Sequence, residues 1–486
     1  MLRTLFFFRA YHKKQFSQAL AQCTSLAPLD NAYQLYACCR LDMHQTVSAS
    51  PTYTGKNWRG GLARAISLAA CGRKTEAEQE TSLWLEHRRS NKQKILLAKG
   101  LAAFHPELAQ GLLENVPEAV LLRVGICQRL GRISQARDLL ATLSALGEVP
   151  APPEYSLFLD NAAMSLSPAD RLAGLNRFLL ARGVSELSLV NAEAPPSPLN
   201  VVSAADLPEV QGPLVSVLMT AFNSAQRIMS AIQSLLNQTY RNIELVVIDD
   251  ASNDTTGQIV QNMATQDHRI RFLRLPRNVG TYVAKNIGLE CATGEFVTCH
   301  DSDDWAHPLK IERQVAPLLA DSKLVFTTSY WVRMQDDGIY YARPVYPLMR
   351  LNPASPLFRK QQVLELAGAW DPVRTGADSE FLARLKLVFG PQRMKRIMQP
   401  LTLGSHHPDS LMTAQKTGYN ADGMSPSRLA YWESWNRWHV DRLRTKRIPK
   451  LEPFTSSTRS FLAPQEIQVP FEDIDYCVQQ IRKKNG

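Results

Sequence analysis

The stretch "VSVLMTAFNSAQRIMSAIQSLLNQTYRNIELVVIDD", residues 215–250, contains the pattern that decides the fold. A short apolar run is followed by an amphipathic segment and then by a second apolar run that ends in two aspartates. Ser224 is a suitable N-cap for a helix over the middle segment. The apolar residues that share one face of this predicted helix are Ile228, Met229, Ile232, Leu235 and Leu236. The stretch therefore predicts a strand, a helix and a second strand.

The same alternation continues towards the C-terminus. The predicted strands are residues 214–222, 243–249, 270–275 and 295–300, and amphipathic segments separate them. Strands that alternate with helices are joined by right-handed crossovers and form a parallel sheet that is covered on both faces. The predicted fold class of this region is α/β with a mostly parallel sheet.

Acidic and polar side chains follow three of these strands. The side chains are Thr220, Phe222 and Asn223 after the first strand, Asp249 and Asp250 after the second, and Asp301, Asp303 and Asp304, within "CHDSDDWAHP", after the fourth. Ligands of open α/β sheets bind beyond the carboxyl ends of the strands, so we expect these groups to meet in one crevice. For the acidic run, a solvated surface turn is the alternative to a site for a divalent cation.

Three segments of this region resemble the family 2 glycosyltransferases of the GT-A fold. Residues 215–256 resemble the opening of that family, residues 299–314 resemble its DxD region, and residues 368–385 resemble the segment that carries the catalytic base. The resemblance covers roughly residues 213–412. It implies a Rossmann-like catalytic domain that transfers a sugar from a nucleotide-sugar donor, with a uridine nucleotide as the expected carrier, and inverts the anomeric carbon.

The resemblance also implies a metal site that holds Mn²⁺ or Mg²⁺. Asp301 and Asp303 match the DxD pair, with Asp303 as the expected metal ligand and Asp301 towards the ribose or a metal-bound water. Asp304 is the alternative direct ligand. His407 matches a position where some members place an imidazole on the metal or diphosphate, and a purely structural histidine is the alternative. Hard oxygen ligands suit both cations.

Four further residues match positions that hold the donor in this family. Thr220, Phe222 and Asp250 are expected at the base and ribose, and Lys285 at the diphosphate. Phe222 could instead pack in the core. Lys285 could instead be a solvated helix lysine.

On the acceptor side, the resemblance assigns Asp378 in "GADSEF" as the base that deprotonates the acceptor hydroxyl. Glu380 is the near alternative, with orientation of neighbouring groups as its main expected role. Trp370 and Asp371 match positions that line the acceptor side.

Residues 1–190 have a helical pattern with small residues at similar places. Ala19, Ala77 and Ala136 align, and Ala109 lies in a weaker fourth copy. Small residues let paired helices approach closely, and stacked pairs bury a shared face. The region resembles tetratricopeptide-like repeats, and a plain helical bundle is the alternative.

The predicted domains are a helical domain over residues 1–190, a Pro-rich linker over 191–213, a glycosyltransferase domain over 214–440 and a tail over 441–486. A fragment that begins near Val202 is then expected to fold alone, because it keeps all proposed site residues.

The charge of the chain suits an anionic partner. The net charge is +10, and residues 1–190 hold 22 basic and 15 acidic residues, or +7. We expect a glycan or lipid-linked acceptor, a peripheral membrane or protein contact through the basic helical domain, and no nucleic-acid partner. No apolar run is long enough to span a bilayer, and the eight cysteines form no regular framework, so a cytoplasmic location at the inner face of the membrane is expected.

The sequence thus predicts an inverting, metal-dependent glycosyltransferase of cell-surface polysaccharide synthesis. The alternative is a non-catalytic helical-repeat scaffold whose GT-A domain only binds a nucleotide sugar.

Overall fold

The structure is a computed structural model that describes residues 2–26, 31–145, 152–414, 416–420, 423–454 and 458–485. We call the described residues from 2 to 190 the helical half and those from 191 to 485 the α/β half. This division confirms the predicted fold class, a helical region followed by an α/β domain with a mostly parallel sheet.

The helical half consists of short helices joined by tight turns. They are α1 (Leu2–His12), α2 (Phe16–Leu20), α3 (Ala32–Arg40), α4 (His44–Ser48), α5 (Trp58–Ala70), α6 (Lys74–Leu85), α7 (Asn91–Leu101), α8 (Pro106–Leu112), α9 (Val120–Arg129), α10 (Ile133–Ala145), α11 (Tyr155–Ala162) and α12 (Pro168–Leu180). A small hairpin follows, formed by β1 (Leu187–Leu189) and β2 (Val201–Ser203).

The aligned alanines have a common structural role. Ala19, Ala77, Ala109 and Ala136 are fully buried, and each lies in the second helix of a pair: α1–α2, α5–α6, α7–α8 and α9–α10. A methyl side chain at these positions lets the two helices of a pair pack closely. The helical pairing agrees with the sequence pattern, and the tetratricopeptide assignment stays a prediction.

The sheet of the α/β half begins with the four strands expected from the sequence. They are β3 (Val215–Ala221), β4 (Ile243–Asp249), β5 (Ile270–Arg274) and β6 (Phe296–Cys299), and they pair in parallel in the order β5-β4-β3-β6. The sheet continues through β11 (Leu357–Arg359), β8 (Phe326–Met334), β12 (Met394–Ser405) and β7 (Trp305–Ala306), and β9 (Tyr340–Tyr341) and β10 (Arg350–Leu351) also pair with β8. The carboxyl ends of β3, β4 and β6 therefore meet at one edge.

Helices cover both faces of this sheet. They are α13 (Ile228–Leu236), α14 (Thr256–Gln266), α15 (Thr281–Cys291), α16 (Lys310–Ala320), α17 (Lys360–Leu366) and α18 (Ala377–Phe389). Two local predictions for α13 were wrong. The N-cap is Arg227, because the Ser224 carbonyl accepts hydrogen bonds from Arg227 and Ile228 in a turn before the helix. Met229 lies on the solvent side, whereas the other four predicted apolar residues are buried.

The two halves share their hydrophobic cores. One cluster combines residues of α1–α9 with Val345, Met424, Leu429 and Val440, and another combines residues of α9–α12 with the region around β7, β8 and β12. The Glu154 carboxylate accepts hydrogen bonds from the backbone N–H groups of Leu348 and Met349 across this boundary, at 3.0 and 3.2 Å. The helical half is therefore packed against the α/β half through a shared core.

The segments predicted as linker and tail are also ordered parts of this packing. Residues 201–203 form β2, and the Pro198 carbonyl accepts a hydrogen bond from Ser230 of α13 at 2.8 Å. The tail contains the C-terminal helix α20 (Phe471–Asn485), which packs against α15. Two short strands, β13 (Tyr419–Asn420) and β14 (Gly423–Met424), form a separate hairpin before the last long helix.

That last long helix, α19 (Pro426–Arg444), touches both halves. The Ser425 hydroxyl caps it by accepting a hydrogen bond from the backbone N–H of Arg428. Glu433 accepts a hydrogen bond from the side chain of Thr46, and Asn436 donates to the carbonyl of Leu41 at 2.8 Å. The aromatic-rich segment from 428 to 439 is thus a packed helix that joins the two halves.

This shared core changes the expectation for a fragment that begins near Val202. The fragment would expose the apolar residues that now face α1–α12, and exposed apolar patches of that kind cause aggregation. We expect it to be insoluble when it is expressed alone and to be recovered in solution when residues 1–201 are co-expressed. A soluble fragment with a cooperative thermal transition would contradict this result.

Within the described residues, no helix combines the length and the apolar character that crossing a membrane requires.

Candidate active site

The rim at the carboxyl ends of β3 and β4 is held together by side-chain to backbone hydrogen bonds. The backbone N–H of Asn223 donates to the Ser252 hydroxyl at 3.0 Å, and the Asn223 side chain accepts from the backbone N–H of Asn253 at 3.0 Å. The Thr220 hydroxyl bonds that of Thr281 at 2.6 Å. These contacts fix the loops after the two strands relative to each other and to α15.

The side chain of Phe222 projects from this rim into solvent. Its side chain is 49% exposed, so the alternative of core packing does not apply. An exposed aromatic ring beside buried polar groups is suited to stacking on a planar ligand.

Asp250 lies beneath the rim and is almost fully buried. Its two carboxylate oxygens accept hydrogen bonds from the backbone N–H groups of Val279 and Gly280, both at 2.7 Å. Gly280 has a φ of 78°, and a Cβ at this position would lie 3.0 Å from the Cα of Arg374, so the turn requires glycine. Burial raises the pKa of Asp250 to about 7, against the lowering effect of the two N–H donors.

Lys285 is the centre of an ionic cluster. Its ammonium group lies 3.2 Å from an oxygen of Asp378 and 3.6 Å from an oxygen of Asp301. The side chain is only 1% exposed, so it is not a solvated helix lysine. Burial alone would lower the pKa of Lys285, but the carboxylates of Asp378 and Asp301 outweigh it and raise the pKa well above its usual value.

The cluster joins the DxD segment to the first turn of α18. Tyr282 donates its hydroxyl to the Asp378 carboxylate at 3.1 Å, beside the Lys285 contacts. The Asp378 side chain remains partly accessible from the crevice. A carboxylate offers about four acceptor positions, so these donors orient it and leave at least one acceptor position open.

Asp303 and Asp304 have different surroundings although they are adjacent. An Asp303 oxygen lies 3.0 Å from Nε2 of His407, and both side chains reach the crevice. Asp304 is buried, and its carboxylate accepts a hydrogen bond from the backbone N–H of Ser405 at 2.9 Å. The position of Asp303 beside His407 suits a shared cation, whereas Asp304 stabilises the C-terminal end of β12.

The described residues contain no group of three or more His, Cys, Asp or Glu side chains that could hold a metal ion on their own. Asp303 and His407 offer one oxygen and one nitrogen donor, which fits a cation that takes its remaining ligands from a substrate and water.

This geometry lies within a segment that a known family shares. Residues 216–378 match the family model for glycosyl transferase family 2. The matched segment runs from β3 to the first turn of α18, and it includes Asp250, Lys285, Asp301, Asp303 and Asp378. We call residues 216–378 the family-matched segment.

Curated relatives match about a quarter of the chain. An uncharacterized glycosyltransferase of Haemophilus influenzae is 41% identical over 115 residues, which are 24% of this chain and 46% of that protein. Glycosyltransferase GlyG of Streptococcus pneumoniae serotype 4 is 33% identical over 128 residues, which are 26% of this chain and 42% of that protein. The chain thus spans less than half the length of these relatives.

Among solved structures, a crystal structure of S. aureus TarS residues 1–349 in complex with UDP-GlcNAc is similar to this chain. It is 20% identical, covers 48% of this chain and 65% of that one, and has a TM-score of 0.37.

The three residues predicted for the acceptor side have enclosed side chains. Trp370 is buried against Phe381, with 4.5 Å between the ring centroids, and Asp371 pairs with Arg459 and accepts a hydrogen bond from Tyr431. Glu380 is fully buried between Arg384 and His439. Their assignment to the acceptor side stays a prediction.

Two residues near the site were missed by the sequence analysis. Tyr282 lies one helical turn before Lys285 on α15, so helical spacing alone places both on one face and could have identified it. Arg227 donates to the Ser405 hydroxyl at 3.0 Å and pairs with Asp336 at 2.6 Å. No local pattern signals Arg227, because its partners are more than a hundred residues away.

The raised pKa of Asp250 makes a testable contribution to stability in the family-matched segment. Its folded pKa of about 7 lies above the ordinary value of 3.8, so the folded state holds a proton that the unfolded chain releases between these pH values. The free energy of unfolding should therefore fall as pH rises through this window. From pH 5 to pH 7 we expect a loss of about 2 kcal/mol from this group.

The Asp250→Asn variant cannot titrate at this position, so its thermal midpoint should depend less on pH than that of the native protein. Thermal melts over the same pH range measure this difference. Asp321→Asn is a matched control at an exposed aspartate that accepts a backbone hydrogen bond. Parallel pH profiles for the native protein and Asp250→Asn would contradict the assignment.

Proposed function

We propose that the protein is an inverting, metal-dependent glycosyltransferase that moves a sugar from a uridine-linked nucleotide sugar to a glycan or lipid-linked acceptor. The observation that carries this proposal is the Lys285 cluster. It brings Asp378, from the first turn of α18, next to Asp301, from the DxD segment, across one crevice. Asp378, as the base for the acceptor, and Asp301, as a residue that contacts the donor, would then lie close to the same reacting centre.

The rim of β3 and β4 supports the donor end of the proposal. Phe222 would stack on the base, while Thr220 and Asp250 would bind the base or ribose. Asp301 would contact the ribose or a metal-bound water. Lys285 would orient the acidic groups beside the diphosphate.

Asp303 and His407 would hold the cation. When bound, Mn²⁺ or Mg²⁺ would act as a Lewis acid that stabilises the charge on the departing diphosphate. Without a cation, that charge would face the carboxylates of Asp301 and Asp303, and like charges repel strongly in a partly buried site.

Asp378 would act as the base. An inverting transfer needs a base that takes the proton of the acceptor hydroxyl on the side opposite the leaving group. Tyr282 and Lys285 fix the orientation of this carboxylate, which the reaction requires because misplacement of a reacting group by about 1 Å can cost roughly a hundredfold in rate.

The acceptor class rests on the basic excess of the helical half. A basic surface suits a chain-like or membrane-bound acceptor that carries negative charge. We propose that the protein extends this acceptor during cell-surface polysaccharide synthesis, at the cytoplasmic side of the membrane.

A donor panel tests the proposal. The full-length protein is incubated with different nucleotide sugars and Mn²⁺, and release of nucleoside diphosphate is measured with and without excess EDTA. We expect release from one donor or a small set of donors, and its loss on chelation. Nucleotide binding without release from any donor, in the presence of acceptor extracts, would favour the non-catalytic scaffold.

A further inference from the structure

Helix α1 is apolar on both of its faces. Phe7 and Tyr11 are buried in the helical half, whereas the outward side chains of Leu2, Leu5 and Phe6 are 71%, 65% and 48% exposed. A surface helix of a globular domain ordinarily carries polar residues on its outer face. The outer face of α1 therefore has the composition of a contact surface.

The charges around this apolar face have one sign. Residues 2–14 contain Arg3, Arg9, Lys13 and Lys14 and no acidic residue. All four basic side chains are exposed, and none is paired with a carboxylate within the described part of the chain. Arg9 and Lys13 continue the row of Leu2, Leu5 and Phe6 at helical spacing, so charge and apolar surface lie side by side.

A second basic segment lies at the same end of the molecule. Residues 442–450 contain five basic residues and no acidic one, and Lys446, Arg447 and Ile448 are exposed. The C-terminal part of α19 packs against α2, and α2 packs against α1. Burial raises the pKa of the Cys23 thiol just after α2, and the nearby charge of Arg444 counteracts this, which again places the segment beside α2.

We propose that this surface docks the protein on an anionic lipid bilayer. We call it the basic–apolar face, and it comprises Leu2, Arg3, Leu5, Phe6, Arg9, Lys13, Lys446, Arg447 and Ile448. Exposed apolar side chains beside basic ones suit the surface of an anionic bilayer, where the apolar side chains reach the headgroup boundary and the basic side chains contact anionic lipids.

The charge of the face argues against a second copy of this chain as its occupant. A two-fold dimer would place the same basic residues opposite one another, and like charges across an interface are repulsive. An anionic bilayer satisfies both the apolar and the basic side chains. The inference does not depend on the proposed transfer reaction, because lipid binding can be measured without any donor or acceptor.

Vesicle flotation tests the docking surface. The full-length protein is mixed with vesicles of pure phosphatidylcholine or of a two-to-one mixture of phosphatidylcholine and phosphatidylglycerol, at low and high salt. We expect binding to the mixed vesicles that weakens as salt rises, and little binding to phosphatidylcholine alone.

Two variants dissect the face. Leu5→Ser/Phe6→Ser removes exposed apolar surface, and Lys446→Glu/Arg447→Glu reverses two charges. Each should weaken binding to the mixed vesicles by roughly tenfold or more. Matched controls on other surfaces are Met164→Ser/Leu462→Ser, at exposed apolar residues, and Lys323→Glu/Lys395→Glu, at exposed lysines. These should bind as the native protein does.

Three results would overturn the proposal. The native protein could bind both vesicle types equally, or the control variants could lose as much vesicle binding as the variants of the basic–apolar face. The native protein could also sediment as a dimer that the Leu5→Ser/Phe6→Ser substitutions convert to a monomer. Circular dichroism melts of all variants check that the mutated side chains, which are exposed, do not affect folding.

Discussion

Replacing Asp303 with alanine is expected to reduce sugar transfer by roughly a thousandfold or more. Asp303 and His407 are the two accessible donor groups that lie within 3.0 Å of each other in the crevice. Loss of the carboxylate would weaken cation binding, and the charge of the diphosphate would then face Asp301 without the stabilising cation. The rate is measured as nucleoside diphosphate release at saturating donor, and Mn²⁺ affinity is measured separately by titration calorimetry.

Controls separate a metal ligand from a structural aspartate. Asp321→Ala, at an exposed aspartate outside the site, should keep full activity and metal affinity. His407→Ala should weaken Mn²⁺ binding less than Asp303→Ala, because a water can replace a neutral imidazole more easily than a carboxylate. If Asp303→Ala retains native activity, or if the native protein is fully active in excess EDTA, the metal site is assigned incorrectly.

The Asp378→Asn variant should bind donor almost normally and transfer sugar about a hundredfold to ten-thousandfold more slowly. The amide has nearly the same shape as the carboxylate but cannot accept the proton of the acceptor hydroxyl. The effect should therefore fall on kcat and leave the affinity for nucleotide nearly unchanged. Single-turnover kinetics and nucleotide titrations measure the two quantities independently.

Glu380→Gln is the matched control, because Glu380 lies two residues away in the same first turn of α18. Its carboxylate pairs with Arg384 and His439, and these partners hold its pKa at about 2 although burial opposes this. Removing one partner of such a buried pair should destabilise the fold by about 3–5 kcal/mol. The folded fraction should retain its transfer rate. A normal rate in Asp378→Asn with a collapsed rate in Glu380→Gln would reverse the assignment.

The core of the sheet was predictable because its signals are local. Each of β3, β4, β5 and β6 is an apolar run of strand length beside an amphipathic segment, and the parallel order follows from the alternation. The same rule placed Asp250, Asp301 and Asp303 at one edge. Residues whose position depends only on the end of a strand could be found without knowing any tertiary contact.

The acceptor residues and Lys285 could not be placed in this way because their environment depends on distant segments. Asp371 is enclosed by Arg459 and Tyr431, and Glu380 by His439, all of which come from the region after residue 425. Lys285 is buried because Asp301 and Asp378 lie on either side of it. Family resemblance assigns such positions by register, but burial decides which of them can reach a substrate.

Helix α19 also limits which segments can be exchanged with a related protein in a chimera. Its residues support the loop before α18 through Tyr431 and Asp371, and they complete the core beneath α2–α5 through Val440 and Glu433. A chimera cut at residue 190 would separate α19 from half of its contacts, whichever parent supplied it. A graft between β3 and β6 would keep these contacts of α19, because that segment lies almost entirely within residues 216–378, which match the family model. If the proposed donor site is correct, such a graft would transfer most of the donor specificity.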